Sequence, residues 1–123
     1  MRIKYVPLFA EDVDEQVRFF TETLGFKPVE KANLYKNGKT RLVSAPDGDV
    51  LIAISDNEAY EGFKSCIIMN TDDCIKTYHQ LKTDGVSFSK EPQYMAAGLV
   101  AEFTDGYGNR FMLLEERNYD DDL

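Results

Sequence analysis

The sequence predicts an α+β fold made of two βαβββ modules, because its 123 residues contain the same pattern twice. In each copy, an alternating strand leads through an aspartate, Asp12 or Asp73, into a helical stripe of apolar residues. Each helix ends at a glycine, and each copy closes with a glycine-containing turn that runs into an apolar strand. A duplicated unit implies a pseudo-twofold body, in which the space between the copies is suited to a ligand.

The first module is predicted to span about residues 1–55. Its alternating start predicts a strand over residues 3–9, and a helix follows over residues 13–24, capped by Asp12 and ended by Gly25. Turn residues then separate three further strands, which are predicted over residues 27–34, 40–45 and 50–55.

The second module is predicted over about residues 62–116, after a linking segment at 55–62. It repeats the order, with a strand over residues 63–69 and a helix over residues 74–83 that begins after Asp73. Its three further strands are predicted over residues 86–89, 98–104 and 109–115. One helix for every four strands cannot supply the crossovers of a doubly wound parallel sheet, so that architecture is disfavoured.

The composition fits one globular domain, with 43% hydrophobic and 29% charged residues. No apolar run approaches the roughly twenty residues of a membrane span. The N-terminus opens into a strand pattern instead of a signal peptide. We therefore expect a cytoplasmic protein that does not enter a membrane. Cys66 and Cys74 are expected to be reduced and buried and not bridged by a disulfide.

The formal net charge of −8 disfavours nucleic acid as a partner, because a phosphate-binding surface needs clustered Lys and Arg. Cationic or neutral small molecules are better suited. Net acidity also keeps ordinary cytoplasmic proteins soluble. Half of the imbalance lies between Glu115 and Leu123, and residues 117–123 are predicted to form a frayed acidic tail.

Four short motifs in this order resemble the glyoxalase and bleomycin-resistance proteins of the vicinal oxygen chelate superfamily, which also includes dioxygenases. The motifs are Asp12-Val13, Val17-Arg18-Phe19-Phe20, Leu24-Gly25-Phe26 and Asp105-Gly106-Tyr107-Gly108-Asn109-Arg110-Phe111-Met112-Leu113. Gly106 stands where a proline is more usual in that family. The resemblance implies two βαβββ modules that form a curved mixed sheet around a central cavity, often in a homodimer.

The resemblance also implies where a metal ion would be held. In metal-dependent relatives, His and Glu side chains from the first and last strands of each module bind zinc, nickel, manganese or iron. The matching positions here are Tyr5, Ile52, Cys66 and Met112, and none is a histidine or a carboxylate. We therefore expect no metal and no other cofactor at the family position. The one histidine, His79, is predicted on an exposed helix face.

Strand alternation places these four positions on the cavity side together with Val50, Ile54, Ile68, Arg110 and Leu114. A mostly apolar lining of this kind suits a planar or aromatic ligand. The predicted ligand-binding residues are Tyr5, Ile52, Cys66, Arg110, Met112, Glu102 and Arg41.

Each polar candidate has a second interpretation. Tyr5 can donate a hydrogen bond either to a ligand or to a backbone carbonyl. Arg110 and Arg41 suit an anionic group and Glu102 a cationic one, but each is also typical of a solvated strand surface. No histidine is placed to activate Cys66, so a buried inert thiol is favoured and no catalytic residue is predicted. Tyr94 and Met95 are predicted in a loop at the cavity mouth.

Three functions are compatible with these residues. The leading hypothesis is a small-molecule binding protein without the family metal, which takes an apolar, aromatic or cationic ligand between its modules. The alternative is a lyase, isomerase or dioxygenase of the same superfamily, acting on a small metabolite with an ion recruited differently or with none. The third is a dimeric interaction module whose cavity has filled with side chains. Whether the protein is an enzyme stays open.

Overall fold

Each half of the chain forms its own four-stranded mixed sheet in the computed structural model, which describes residues 3–29, 37–46, 48, 50–58 and 66–117. The two compact units span residues 1–63 and 64–123. The order βαβββ occurs in both, so the predicted α+β class is confirmed. Among the described residues, no helix has the length and apolar character needed to cross a membrane.

The first unit contains one helical segment between its first and second strands. Its sheet has the order β1-β4-β3-β2, in which β1 and β4 are parallel and the other neighbours are antiparallel. The part of the second predicted strand beyond residue 29 lies outside the described residues. The elements are β1 (Tyr5–Phe9), α1 (Val13–Arg18), a π-helical segment (Phe19–Thr23), β2 (Lys27–Val29), β3 (Thr40–Ser44) and β4 (Leu51–Ser55).

The second unit repeats this topology with the strand order β5-β8-β7-β6, and here β5 and β8 form the parallel pair. The predicted bounds of the helix and of the strand over 98–104 are confirmed. The start of the first predicted strand, residues 63–65, lies outside the described residues. The elements are β5 (Cys66–Asn70), α2 (Cys74–Thr83), β6 (Phe88–Met95), β7 (Gly98–Thr104) and β8 (Arg110–Glu116).

The two aspartates cap their helices as predicted. Asp12 accepts a hydrogen bond from the backbone N–H of Glu15 at 3.1 Å, and Asp73 accepts one from the backbone N–H of Lys76 at 3.0 Å. Each bond satisfies a donor that has no partner within its helix. The duplicated motif at the start of each helix therefore has the same physical role in both units.

The first helix does not continue as an α-helix to Leu24. It changes to π-helical geometry at Phe19, and the Leu24 N–H donates to the Phe19 carbonyl at 3.2 Å. The sequence contains the reason, because Gly25 follows Asp12 by 13 residues whereas Gly85 follows Asp73 by 12. A single extra residue is accommodated in a helix by one wider π turn.

Strand β6 is longer than predicted, and the loop expected at Tyr94 and Met95 is wrong. The strand continues to Met95 through Pro92, with register shifts between Phe88 and Gln93. Its one hydrogen-bonded neighbour among the described strands is β7, so it forms an edge of the sheet. Proline is tolerated on an edge strand because the missing N–H is not required by a second neighbour.

A row of aromatic rings forms the core of the second unit. Tyr78 of α2 contacts Phe88 at a centroid distance of 4.6 Å, Phe88 contacts Phe103 at 5.3 Å, and Phe103 stacks on Phe111 at 5.0 Å. Phe103 and Phe111 are fully buried. The helix therefore covers the sheet face to which Phe103 and Phe111 belong.

Gly98 at the start of β7 has no room for a side chain. Its φ is +149°, and a Cβ there would overlap the carbonyl oxygen of Glu115. We expect Gly98→Ala to lower the free energy of unfolding by about 1–3 kcal/mol, because the β7–β8 backbone has to separate. Urea denaturation measures this loss. Gly106→Ala is the matched control, since a methyl group added at Gly106 would meet open space, and an equal loss there would contradict the close approach at Gly98.

Glu115 of β8 joins the sheet to the N-terminus of α2. Its Oε1 accepts from the backbone N–H of Cys74 at 2.9 Å, and its Oε2 accepts from Arg117 Nη2 at 2.7 Å. The hydrogen bond from Cys74, followed by that from Arg117, lowers the pKa of Glu115. The charged carboxylate therefore stabilises the folded state more than the unfolded state.

The lowered pKa of Glu115 sets the pH range of its contribution. The contribution is complete above the unfolded-state value of about 4.3 and is lost as the pH falls through the lower folded-state pKa. We expect Glu115→Gln to be less stable than the unaltered chain at pH 7, with a difference that shrinks below pH ~4. Urea denaturation at both pH values tests this, with the exposed neighbour Glu116→Gln as control. A difference that does not change with pH would contradict the charge-based explanation.

Candidate functional site

Four of the predicted site residues lie on one face of the second sheet. In the parallel pair, Cys66 is opposite Arg110 and Ile68 is opposite Met112. Glu102 of β7 is opposite Met112 on its other side. Residues opposite each other on neighbouring strands point to the same face of a sheet.

On β5 and at the start of β8, this face is exposed, whereas the opposite face of the sheet carries buried residues. Ile68 has 60% of its surface exposed, and Cys66 and Arg110 are also exposed. The opposite face carries the buried Phe111 and Leu113 under α2. We call the exposed side the open face, defined by Cys66, Ile68, Lys90, Glu102, Arg110 and Met112.

Two residues of the open face differ from expectation in their burial. Cys66 is exposed, because β5 is an edge strand and α2 covers the other face. Glu102 is only 6% exposed, because β7 lies between β6 and β8 and the neighbouring side chains close over it. Cys74 is buried as expected, and burial, followed by the nearby Glu115 and Asp73 carboxylates, raises the pKa of its thiol. A thiol in that setting is unreactive.

Glu102 lies between two cations. Lys90 is directly opposite it on β6, and the Lys90 Nζ is 3.8 Å from Glu102 Oε2. Arg110 is diagonal to it on β8, and the Arg110 Nε is 3.8 Å from Glu102 Oε1. The hydroxyl of Ser89 donates to the Glu102 carbonyl at 3.2 Å and lies 3.5 Å from Oε1. At 3.8 Å, the ion pairs of Glu102 with Lys90 and Arg110 are both longer than ordinary charge-assisted hydrogen bonds.

Lys90 was not among the predicted site residues, because the sequence pattern ended its strand at Ser89. The proline in Glu91-Pro92 is typical of the end of a strand, because a strand with two neighbours needs the N–H that proline lacks. Strand alternation from Phe88 would also have placed Lys90 on the covered face, and the register shift between Phe88 and Lys90 is what brings Lys90 opposite Glu102.

In the first unit, the prediction that Tyr5 and Ile52 lie on the same face is wrong by one residue. The parallel register sets Tyr5 opposite Leu51, Val6 opposite Ile52 and Pro7 opposite Ala53. Ile52 therefore points to the face away from Tyr5, and Ala53 occupies the place that Met112 holds in the second unit. The turns explain the shift, because Ala53 follows Gly48 by five residues whereas Met112 follows Gly108 by four.

The remaining cavity-side assignments of the first unit change for the same reason. Ile54 is opposite Leu8 and therefore shares the face of Ile52, away from Tyr5. Arg41 is opposite Ile54 and shares that face, which separates it from Tyr5. Its Nη1 donates to the Thr40 carbonyl at 3.1 Å. The Lys39 hydrogen bond, helped by the positive charges of Arg41 and Arg18, lowers the pKa of Asp14 on α1.

A sequence profile of the Glyoxalase/Bleomycin resistance protein/Dioxygenase superfamily matches residues 2–113. The chain belongs to this superfamily. It is 31% identical over 124 residues to the uncharacterized protein YetH of Bacillus subtilis (strain 168), covering 93% of this chain and 98% of YetH.

Solved structures of the superfamily have the same fold. A member from Sphaerobacter thermophilus DSM 20745 superposes with a TM-score of 0.82 at 29% identity, covering 94% of this chain and 98% of that one. TnmS3, an antibiotic binding protein from Streptomyces sp. CB03234, superposes with a TM-score of 0.83 at 20% identity, covering 95% of this chain and 97% of that one. At that identity, the second comparison concerns the fold alone.

The residues at the positions where the resemblance implies a metal do not suit a divalent ion. With the register of β1 and β4 taken into account, those positions correspond to Tyr5, Ala53, Cys66 and Met112. A phenol, a methyl group, a thiol and a thioether lack the imidazole nitrogens and carboxylate oxygens that zinc, nickel or manganese require. Within the described ranges, no three His, Cys, Asp or Glu side chains are grouped as metal ligands would be.

The burial of Ile52 and the exposure of Ile68 are tested by two identical substitutions. We expect Ile52→Ala to lower the free energy of unfolding by about 2–4 kcal/mol, because Ile52 is only 5% exposed. Ile68→Ala on the open face should change it by less than about 0.5 kcal/mol. Urea denaturation measures both values. Equal losses would contradict the difference in burial between the two side chains.

Proposed function

We propose that this superfamily member binds a small apolar or aromatic molecule on the open face without using a metal ion at the family position. The observation that carries the proposal is the apolar pair of exposed Ile68 and half-buried Met112, bordered by the charged group of Lys90, Glu102 and Arg110. An apolar surface with a few convergent polar groups is typical of small-molecule sites.

The proposed role is binding without covalent chemistry. Cys66 is the exposed nucleophile of the open face, and thiolate attack requires a base or a lowered pKa. The one histidine of the sequence, His79, is exposed on α2 and packs against Tyr78. Tyr78 covers the opposite face of the sheet, so His79 is not positioned to take a proton from Cys66.

The other parts of the proposal come from the composition and the family. The net charge of −8 favours a cationic ligand, and Glu102 is the carboxylate of the open face. We also propose a cytoplasmic location and a homodimer. The description of TnmS3 as an antibiotic binding protein supports the proposal only as a precedent for binding by this fold.

A fluorescence titration tests the proposed binding. The uncharged probe N-phenyl-1-naphthylamine becomes fluorescent when it leaves water for an apolar surface. We expect it to bind, and we expect Ile68→Asp to weaken its affinity by about tenfold or more, because a charge replaces the apolar contact. Ile75→Asp is the matched control, since Ile75 is also exposed but lies on α2.

Two outcomes of this experiment would contradict the proposal. Absence of binding, or an equal effect of Ile68→Asp and Ile75→Asp, would show that the open face is not the site. A stoichiometric zinc, nickel, manganese or iron ion in protein purified without chelator would contradict the metal-free assignment and favour the enzymatic alternative.

A further inference from the structure

The cluster of Lys90, Glu102 and Arg110 on the open face has a net charge opposite in sign to that of the whole protein. Lys90 and Arg110 contribute two positive charges around the single negative charge of Glu102. The cluster is therefore positive by one charge, in a chain whose net charge is −8. A ligand that touches this face responds to the nearby charges more than to distant ones, because salt screens charges beyond about 10 Å.

The two cations keep most of their hydrogen-bonding capacity. The side chains of Lys90 and Arg110 are 56% and 54% exposed. Within the described residues, their contacts are the ion pairs with Glu102 at 3.8 Å, and neither side chain donates a hydrogen bond of ordinary length. An ammonium has three donors and a guanidinium has five in a fixed fork, which suits a carboxylate, sulfonate or phosphate.

Glu102 gives this pair of cations its geometry. Its carboxylate is buried at the centre of the sheet, and each of its oxygens faces a different cation. The head groups of Lys90 and Arg110 are thereby drawn toward the centre of the open face. A ligand cation approaching Glu102 would meet both positive groups first, whereas a ligand anion would meet two attractive groups and one repulsive group.

Ile68 and Met112 form an apolar patch, which adjoins the cations at a distance that suits a two-ring molecule. Ile68, Met112 and Glu102 lie side by side on three successive strands, β5, β8 and β7. Neighbouring strands are about 4.8 Å apart, so about 10 Å separates Ile68 from Glu102 across the sheet. A fused or linked pair of aromatic rings covers this distance.

We infer that the polar group of the ligand is an anion, a carboxylate, sulfonate or phosphate held by Arg110 and Lys90 while its apolar body packs on Ile68 and Met112. This inference rests on the proposed binding function and reverses the preference for a cation that follows from the overall charge. Glu102 acts as a positioning residue that holds the two cations beside the apolar patch.

A matched pair of probes tests the sign of the charge. The anionic 1-anilinonaphthalene-8-sulfonate has the same aromatic body as the uncharged N-phenyl-1-naphthylamine and differs by one sulfonate. We expect the sulfonate to bind the unaltered chain about tenfold more tightly at low salt, with the advantage shrinking as salt is added. Arg110→Gln and Lys90→Gln should each weaken sulfonate binding several-fold and weaken binding of the uncharged probe by less, so that the preference for the sulfonate shrinks.

Lys76→Gln is the control, because it removes the same charge from an exposed position on α2, away from the open face. An equal loss of sulfonate affinity in this variant would overturn the local assignment. Binding of both probes with equal affinity, with the dependence on Ile68 retained, would overturn the anion inference and leave the proposed function intact. Failure of both probes to bind would overturn the two together. Thermal denaturation of each variant verifies that the folded protein is being titrated.

Discussion

The parallel pairing of the first strand with the last strand of each unit is the constraint on which the rest of the structure depends. It brings together residues far apart in the chain, such as Cys66 and Arg110, which are 44 positions apart. Parallel neighbours cannot be joined by a tight turn, so the chain between them supplies the helix and two further strands. Since the helix covers one face of the second sheet, Cys66, Ile68 and Arg110 are exposed on the other face.

The same arrangement determines where charge is stabilised. Glu102 lies on an interior strand, so its carboxylate is buried, and burial of a charge requires compensation. The compensation comes from Lys90 on the edge strand and from Arg110 on the other side. Lys90 reaches Glu102 from the edge strand β6, and Arg110 reaches it from the first residue of β8. Because Glu102 is buried while Lys90 and Arg110 are exposed, this cluster presents positive charge to solvent in an acidic protein.

Membership of the superfamily describes the scaffold better than it describes the chemistry. The chain has the duplicated βαβββ unit, whereas the side chains at the positions where the resemblance implies a metal are a phenol, a methyl group, a thiol and a thioether. The groups on the open face of the second sheet are apolar side chains, the thiol of Cys66 and the ion-paired charges. Recognition of a molecule needs only such groups, and metal-assisted catalysis needs more.

The sequence by itself determined the order of the elements, the two aspartate caps, and the bounds of α2 and β7, because capping, periodicity and turn residues are local properties. It also placed Cys66, Arg110 and Met112 on one face, since alternation holds within each strand, whereas the register of β7 against β8 added Glu102. Only the tertiary structure decided that Ala53 and not Ile52 shares a face with Tyr5, and that β6 continues past Pro92 to bring Lys90 to Glu102. These features depend on the register between distant strands, where a shift of one residue moves every side chain to the other face.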